Sequence, residues 1–336
     1  MSTAVLRVEA LSKVYRQRAG LAARVAGAPH ADLRALDGVD LELRRGEILA
    51  LVGESGSGKS TLAKVLVGST AATAGAVEHE GSPMPARRSA DTARRIQMVF
   101  QDPYSSLNPR ISVGSMLKEL LIGHRIVPRR QVRAESVRLL NLVGLEEDAL
   151  GAYPGQFSGG QRQRIAIARA LAVRPDVLIA DEPVSALDVS IQATILELFA
   201  SLQRELGLSV LFVAHNLAVV QHLSQRVAVM YLGRIVEVAD TAELFANPRH
   251  PYTRALIASI PRMSTGRAPE RFSLEGDPPS PFDVPPGCRF STRCPYALDA
   301  CRSIDPALEA VGPGHLTACI RADELDAVAS ARGVVE

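Results

Sequence analysis

Residues 53–61, GESGSGKST, have the types and spacing that bind phosphate. They fit the pattern G-x-x-x-x-G-K-[ST], in which glycines let backbone N–H groups approach an anion closely. In this pattern Lys59 reaches the β- and γ-phosphates of a nucleotide, and the Ser60 hydroxyl ligates Mg²⁺. We predict a nucleoside triphosphate site made of Gly53, Ser55, Gly56, Ser57, Gly58, Lys59, Ser60 and Thr61.

A pair of carboxylates, Asp181 and Glu182, follows the apolar run 177–180. Acidic residues at the end of a buried strand can form a metal site opposite a phosphate loop. We expect Asp181 to hold the hydration shell of Mg²⁺ and Glu182 to polarise a water. Two adjacent carboxylates can also be plain surface, but the phosphate loop upstream favours the catalytic interpretation.

Two further polar residues, Gln101 and His215, also stand at the ends of predicted strands. Gln101 follows residues 96–100 at the start of a helical insert, so it can bridge the nucleotide and the insert. His215 follows residues 209–214, where a hydrogen-bonding partner for a γ-phosphate is expected. Each has a plainer alternative, a polar strand cap for Gln101 and a structural histidine for His215.

Residues 157–164, FSGGQRQR, contain a helix start with a glycine pair. Ser158 and Gln161 form a capping-box pattern, which predicts that a helix begins here. Glycines in a first turn weaken a helix by up to about 1 kcal/mol each relative to alanine. Gly159 and Gly160 are therefore better explained if another backbone or a phosphate must come close.

The cysteines form a second group of candidate ligands, because all of them lie after residue 287. In a reducing cytosol such a group indicates a metal site before it indicates disulfides. Their separations match neither the short C-x₂₋₄-C pairs of zinc sites nor the ferredoxin run, so scattered buried thiols are the alternative. The four residues are Cys288, Cys294, Cys301 and Cys319.

The elements around these residues predict an α/β fold. The apolar run 47–52 before the phosphate loop suits a buried strand, and residues 62–67 after it suit a helix that Gly68 ends. This setting argues against a chance glycine-rich turn. Strong alternation at 39–43 predicts an antiparallel sheet beside the nucleotide core. Tyr15, near the N-terminus, can stack on an adenine ring or be a half-buried strand-end tyrosine.

The remaining segments predict how the chain is organised. Residues 16–34 suggest a surface excursion, residues 113–145 are mainly helical, and residues 227–238 have the pattern of a hairpin. The proline- and glycine-rich stretch after Pro261 reads as a rigid connection and not as a further domain core.

Composition limits the class of protein. A chain of 336 residues can form one large domain and a smaller one, and 47% apolar with 22% charged residues is typical of α/β proteins. The net charge of +2 favours no nucleic-acid partner. No apolar run approaches the roughly 20 residues of a membrane helix, and the N-terminus lacks the apolar region of a secretion signal. We therefore expect a cytosolic protein that can dock on a membrane protein.

The order of the motifs resembles that of ABC-transporter ATPases. The chain is most similar to the ATP-binding subunits of oligopeptide and dipeptide importers, on three features: Gln-Asp-Pro-x-x-Ser-Leu-Asn-Pro at 101–109, His-Pro-Tyr-Thr at 250–253, and a cysteine-bearing tail. The resemblance implies a RecA-like P-loop ATPase core with an antiparallel β subdomain and a helical subdomain at about 102–172. That nucleotide-binding domain would span 1–262, and a small cysteine-containing extension would span 263–336.

The resemblance also implies residue roles. Tyr15 would stack on adenine, and Asp188 would communicate between two nucleotide sites. Ser158, Gly160 and Gln161 belong to the segment that contacts the γ-phosphate held by a neighbouring ATPase subunit. Departures from the common pattern are Phe157, where leucine is usual, and Asn216, where aspartate is usual. The implied catalytic residues are Lys59, Gln101, Glu182 and His215, and the implied Mg²⁺ ligands are Ser60, Gln101 and Asp181.

The implied function is that of an ATPase motor. Two ATPase subunits, in relatives mostly a heterodimer, would sandwich two ATP molecules and drive two transmembrane permease subunits at the cytoplasmic face of the membrane. An extracytoplasmic binding protein would deliver the substrate, for which peptides are the first expectation and nickel, glutathione-like or sugar ligands are the alternatives. The implied cofactors are ATP, Mg²⁺ and a [4Fe–4S] cluster on the four cysteines.

Other functions compete with this interpretation. A soluble ABC ATPase of DNA repair or of ribosomes usually has a long coiled-coil insert or two ATPase halves, neither of which this sequence contains. An exporter ATPase would not have the importer-like tail. A regulatory, non-hydrolysing module would have lost Lys59, Glu182 or His215, and all three are present.

Overall fold

The computed structural model describes residues 3–16, 32–102, 106–260 and 276–325 of the chain. Most of the stretch predicted as a surface excursion lies outside these residues, as do positions 103–105 of the importer-like motif. The predicted domain boundary after residue 262 also lies outside them. Those expectations therefore stay predictions.

The strands of the described residues form two sheets. One is a four-stranded antiparallel sheet and the other is an eight-stranded mixed sheet that forms the core. In chain order the strands are β1 (Ala4–Tyr15), β2 (Leu33–Arg44), β3 (Ile48–Val52), β4 (Ala74–His79), β5 (Ser82–Pro83), β6 (Ile96–Val99), β7 (Val177–Asp181), β8 (Ser209–Ala214), β9 (Arg226–Tyr231), β10 (Arg234–Asp240), β11 (Glu309–Gly312) and β12 (His315–Thr317).

Ten α-helices occur in the described part of the chain, together with three short 3₁₀ turns (Arg129–Gln131, Glu147–Leu150 and Pro154–Gln156). The α-helices are α1 (Lys59–Val67), α2 (Ala90–Arg95), α3 (Val113–Gly123), α4 (Val132–Leu142), α5 (Gly159–Leu171), α6 (Val189–Leu206), α7 (Leu217–Gln221), α8 (Thr241–Ala246), α9 (Pro251–Ala258) and α10 (Asp299–Ser303).

The core sheet has the strand order β11-β12-β10-β9-β3-β8-β7-β6. Its central pairs, from β9 through β3, β8 and β7 to β6, are all parallel. Every residue of β3, β7 and β8 is buried, which is expected where both faces of a parallel sheet are covered. The carboxyl ends of these strands therefore meet at one edge, where the predicted site residues follow them.

The smaller sheet has the order β2-β1-β4-β5 and packs on one face of the core. Its alternating pattern turns Val39 and Leu41 of β2 inward, where they share a buried cluster with Leu49 and Leu51 of β3 and Leu62 of α1. The predicted antiparallel sheet beside the nucleotide core is thereby confirmed.

The helical insert joins the same hydrophobic core. Leu117 of α3, Leu139 of α4 and Ile165 of α5 lie in one buried cluster with Val99 of β6 and Leu178 of β7. The mainly helical pattern predicted for 113–145 corresponds to α3 and α4. The predicted hairpin corresponds to β9 and β10, which are antiparallel.

The tail differs from the expectation of a plain connection. Strands β11 and β12 extend the core sheet beyond β10, with Val238 paired to Leu316. The buried His315 places its Nε2 2.7 Å from Oε1 of Glu237, a side chain that is also buried. The C-terminal region therefore continues the core sheet and covers the edge that β10 would otherwise expose.

Candidate nucleotide-binding site

The predicted phosphate loop lies between β3 and α1, in the strand–loop–helix arrangement that binds phosphates. Two of its glycines are required by close backbone neighbours. A Cβ on Gly53 would collide with the carbonyl oxygen of Met230, and one on Gly58 would lie 2.5 Å from the carbonyl oxygen of Ala35. Gly56 has a φ of 79°, which favours glycine. Helix α1 ends at Val67 with Gly68 as its left-handed C-cap, as predicted.

Lys59 is held inside this loop and is only 4% exposed. Its Nζ donates to the carbonyl oxygens of Gly53 at 2.8 Å and Glu54 at 2.9 Å. Burial lowers the pKa of the Lys59 ammonium below its usual value, and nearby carboxylates, first that of Glu182, partly oppose the shift. The loop thus surrounds a positive charge with its own backbone.

One hydroxyl of the loop has a buried position and no hydrogen-bond partner. This hydroxyl is the Oγ of Ser57. The backbone of Ser57 is bonded, since its N–H donates to the carbonyl oxygen of Glu54 at 3.2 Å. An unsatisfied buried hydroxyl is costly unless something bonds to it. A bound phosphate oxygen would satisfy it, so this atom fits the predicted ligand.

The predicted Mg²⁺ ligands Ser60 and Asp181 are brought together. The Ser60 hydroxyl, in the first turn of α1, donates to Oδ1 of Asp181, at the end of β7, over 3.1 Å. Burial raises the pKa of the Asp181 carboxyl, and the bond from Ser60 partly opposes the shift. A hydroxyl and a carboxylate beside a phosphate loop are the oxygen donors that Mg²⁺ prefers.

The predicted catalytic residues Gln101, Glu182 and His215 also meet. Oε2 of Glu182 lies 3.3 Å from Nε2 of Gln101 and 3.3 Å from Nδ1 of His215. Glu182 has a left-handed backbone (φ 47°), and its N–H donates to the carbonyl oxygen of Val213 at 3.0 Å. This unusual conformation turns the side chain off the line of β7 toward its two partners.

A cavity of about 70 Å³ with polar and apolar walls opens beside this group. Glu182, His215 and Asn216 line it together with Ser185. Sequence reasoning missed Ser185, whose Oγ accepts from Nε2 of Gln101 at 3.2 Å and donates to the carbonyl oxygen of Glu182 at 3.0 Å. Its position three residues after Glu182 was the available signal.

The capping box predicted at Ser158 is confirmed at the start of α5. The Ser158 hydroxyl accepts from the N–H of Gln161 at 3.3 Å, and Oε1 of Gln161 accepts from the N–H of Ser158 at 2.9 Å. The structure gives Gly160 a reason beyond the one expected, because a Cβ there would lie 2.6 Å from Cγ2 of Ile191 in α6. Close packing on α6 therefore already requires a glycine, and contact with a phosphate stays a prediction.

Three other predicted residues lie at element ends. Tyr15 ends β1 and is 38% exposed as a residue, and Nζ of Lys13 lies 5.0 Å from the centroid of its ring. Asp188 is the exposed N-cap of α6, and Thr61 lies in the first turn of α1. Ser55 lies in the exposed part of the phosphate loop. An accessible aromatic face is compatible with adenine stacking, which stays a prediction.

The phosphate loop has two partners that sequence reasoning missed, both at Glu54. The Glu54 N–H donates to the hydroxyl of Tyr252 at 2.8 Å. Its carboxylate accepts two bonds from Arg293, at 2.8 and 3.2 Å. Tyr252 belongs to α9 and Arg293 to the cysteine tail, so two distant segments hold one loop residue.

The four cysteines line one cavity, together with Phe290 and Tyr296. Burial raises the pKa of the Cys294 thiol to about 12 and that of Cys319 to about 11. In the part of the chain that the structure describes, no three of the four sulfur atoms lie within 4.8 Å of one another. The tail thus gathers the thiols around an apolar space without placing them at a single point.

Comparison with known proteins gives consistent matches. Residues 36–185 match the ABC transporter family model, and residues 236–301 match the model of the oligopeptide/dipeptide transporter C-terminal region. The dipeptide transport ATP-binding protein DppF of Haemophilus influenzae is 45% identical over 325 residues, covering 96% of this chain and 98% of that protein. DppF of Escherichia coli is 47% identical over 300 residues, covering 88% and 90%.

Solved structures match as well. The cbiO1 protein of Clostridium perfringens, part of the ABC transporter complex cbiONQ, has a TM-score of 0.61 and 28% identity over 72% of this chain and 91% of that one. The ATP-binding cassette MJ0796, in a dimer bound to ADP and Pi, has a TM-score of 0.60 and 27% identity over 70% and 98%. The predicted P-loop ABC ATPase fold is confirmed.

None of the helices in the described ranges combines the length and the apolar character that crossing a membrane requires. The family models and the relatives agree with the order of the motifs and with the tail. The chain therefore belongs to the ABC transporter family, as an ATP-binding subunit of its oligopeptide and dipeptide importer branch.

Proposed function

We propose that the chain is the ATP-hydrolysing motor of a membrane importer for peptides, and that the residues assembled around Glu182 perform the hydrolysis. The observation that supports this most is the convergence of two groups at the carboxyl edge of the core sheet. Lys59, Ser60 and Asp181 form one, and Gln101, Glu182 and His215 form the other.

The chemistry is in-line attack of water on the γ-phosphorus of ATP. Glu182 orients the water and accepts its proton, while Gln101 and His215 hold the carboxylate. Lys59 offsets negative charge on the transferring phosphoryl group. Ser60, Gln101 and Asp181 would hold Mg²⁺, which when bound neutralises phosphate charge. The products are ADP and phosphate.

The second ATPase subunit supplies the remaining contacts in this proposal. Ser158 and Gln161 are exposed at the N-terminus of α5, where N–H groups and the helix dipole favour an anion. They would close over ATP held by the partner subunit, and Asp188 would communicate between the two sites. The dimeric form of the related cassette MJ0796 supports this arrangement. The ATP-bound dimer closes because the γ-phosphate adds contacts that only the closed state makes.

Peptides are the proposed cargo, because the two DppF relatives are named for dipeptide transport. The partners would be two permease subunits, a second ATPase subunit that differs from this chain, and an extracytoplasmic binding protein. The chain would then lie at the cytoplasmic face of the membrane without crossing it. The alternative is a soluble ABC ATPase that is not coupled to transport.

The test of this function is purification of the tagged chain from solubilised membranes of its own cells. We expect two multi-spanning proteins and a second ATPase in the complex, and faster ATP hydrolysis when a peptide-loaded binding protein is added. A complex with ribosomes or DNA-repair proteins, or a rate that ignores the binding protein, would contradict the proposal.

We also infer that the four cysteines hold a [4Fe–4S] cluster. A single Zn²⁺ with Zn–S distances of about 2.3 Å draws its sulfurs to about 3.8 Å from one another. The described cysteines line one cavity, and no three of their sulfur atoms lie within 4.8 Å of one another, which is compatible with a cluster that spreads its thiolates over several irons. Iron and sulfide assays on anaerobically purified protein test this. A colourless protein without iron, or one with a single zinc, would contradict it.

A further inference from the structure

We propose that Arg293 in the cysteine tail is a positioning residue for ATP, because it neutralises Glu54 and holds the phosphate loop in the shape that accepts phosphates. This inference rests on the proposed nucleotide site. It adds a function for the tail, which would then act on ATP binding as well as covering the sheet edge.

The contact between the two side chains is specific. Nη1 and Nη2 of Arg293 donate separately to Oε2 and Oε1 of Glu54, at 2.8 and 3.2 Å, in a two-pronged arrangement. The Arg293 side chain is 5% exposed and that of Glu54 is 28% exposed. Charge-assisted bonds of this geometry are among the strongest in proteins, and only arginine makes them with a planar fork.

Arg293 is itself fixed by the aromatic residues beneath it. Its guanidinium carbon lies 6.0 Å from the centroid of the Tyr231 ring, and Nη1 lies 3.4 Å from the Tyr231 hydroxyl. The rings of Tyr231, Tyr252 and Phe290 pack on one another at centroid distances of 4.6 to 5.5 Å. A rigid base of this kind keeps the guanidinium in one place.

Glu54 transmits that placement to the phosphate loop. Its backbone N–H is bound by Tyr252, and its carbonyl oxygen accepts from Nζ of Lys59 at 2.9 Å. Any displacement of Glu54 therefore moves an acceptor of the lysine that would contact the phosphates. The loop is thus fastened at one residue by α9, by the tail and by its own lysine.

Charge gives the second part of the argument. ATP brings several negative charges to this loop, and an unpaired carboxylate at Glu54 would repel them in a partly buried setting where screening is weak. Arg293 cancels that charge. A loop that binds anions and yet contains a glutamate needs such a partner.

The experiment compares equilibrium binding of Mg-ATP, by calorimetry on the full chain, for the parent and five variants, one of which is Lys59→Ala. Arg293→Ala should weaken binding about tenfold, whereas hydrolysis at saturating ATP should change less than about twofold. Glu54→Gln alone should bind at least as tightly as the parent. The double variant Arg293→Ala, Glu54→Gln should bind more tightly than Arg293→Ala but less tightly than the parent, because neutralisation is no longer needed while the loop has lost its fastening. Arg302→Ala, exposed in the same tail, is the matched control and should bind like the parent.

The outcomes separate this inference from the proposed function. If Lys59→Ala loses ATP binding and Arg293→Ala binds normally, the inference on Arg293 is wrong while the nucleotide site stands. If Lys59→Ala binds ATP like the parent, the site itself is wrong. The role of Arg293 would also be wrong if the double variant bound ATP no more tightly than Arg293→Ala. It would be wrong as well if Glu54→Gln alone bound ATP about ten times more weakly than the parent. This last measurement does not require Arg293→Ala to fold.

Discussion

The nucleotide site and the cysteine tail collect their side chains in different ways. At the nucleotide site the residues follow β3, β6, β7 and β8, and the parallel register of these strands brings their carboxyl ends to one edge. In the tail the cysteines come from irregular segments and from α10, and they meet because the chain folds around one cavity. Spacing along the chain therefore encodes the first site and not the second.

The two regions also differ in what surrounds the reactive groups. At the nucleotide site each charged group has a polar partner, as Lys59 has in two carbonyl oxygens and Glu182 in Gln101. In the tail, burial raises the pKa of the Cys294 and Cys319 thiols, so a metal would have to displace their protons before they could bind it. The comparison shows that the reactive groups of the first region are paired with polar groups of the protein, whereas the thiols of the second region line an apolar cavity.

The largest expected effect comes from the carboxylate of Glu182. Glu182→Gln removes the proton acceptor but keeps the shape, so hydrolysis should fall by at least about a hundredfold while Mg-ATP binding remains. Single-turnover kinetics and calorimetry measure the two separately. Glu205→Gln, on the exposed last turn of α6, is the control. Normal turnover of Glu182→Gln would break the assignment of the nucleotide site.

A second prediction separates packing from chemistry at Gly160. Gly160→Ala forces a contact with Ile191 and should cost about 1–3 kcal/mol of unfolding free energy. Adding Ile191→Ala should recover part of that stability, yet hydrolysis by the assembled transporter should stay about tenfold low, because the segment still cannot approach the partner's ATP. Gly159→Ala, whose Cβ would lie 3.5 Å from Leu187, controls for helix propensity. Full hydrolysis by the double variant would show that Gly160 serves packing alone.

A third prediction tests whether the tail depends on its ligand. Cys288→Ser with Cys319→Ser should lower bound iron from about four atoms per chain to nearly none, measured by an iron assay. Hydrolysis should fall less than about threefold, since the catalytic group keeps its contacts. Thermal unfolding of the variant and of the parent measures how much the loss of the two thiols lowers stability. Unchanged iron content would mean that the cluster lies elsewhere or does not exist.

The smallest effect concerns the pH dependence of stability at His250. Burial lowers the pKa of His250 from 6.5 to about 4, and its Nδ1 accepts from the N–H of Tyr252 at 3.1 Å, which requires the neutral ring. The unfolded chain therefore binds a proton that the folded chain does not, and stability is lost as the pH falls from about 6.5 to 4. The loss attributable to His250 should be about 1–3 kcal/mol.

Urea unfolding of the parent and of His250→Asn over that pH range measures this loss. The asparagine can still cap α9, so the variant should show a shallower dependence on pH. His222→Asn, at an exposed histidine, should behave like the parent. If the unfolding free energy of the parent and that of His250→Asn changed equally with pH, the lowered pKa of His250 would not be the cause.

Sequence predicted the phosphate loop, the capping box at Ser158 and the strands that precede Glu182 and His215. These features depend on residues close together in the chain, or on the general rule that parallel strands end at one edge. The contact of Gln101 with Glu182 was not predicted from the sequence, and it follows from the pairing of β6 with β7.

Other features depended on contacts between distant segments. Arg293 and Glu54 are 239 positions apart, and no local pattern marks either residue as the partner of the other. The two strands of the tail are short, and they form only because β10 leaves an edge for them. The packing reason for Gly160 likewise needed the position of Ile191 in α6.

The most direct test of the account is a structure of the assembled transporter with Glu182→Gln and Mg-ATP. We expect ATP between residues 53–61 of this chain and another ATPase subunit, with residues 158–161 facing the second nucleotide. Arg293 should still bind Glu54 there. ATP bound without an opposing subunit, or residues 158–161 left in solvent while both nucleotides are enclosed, would contradict the account.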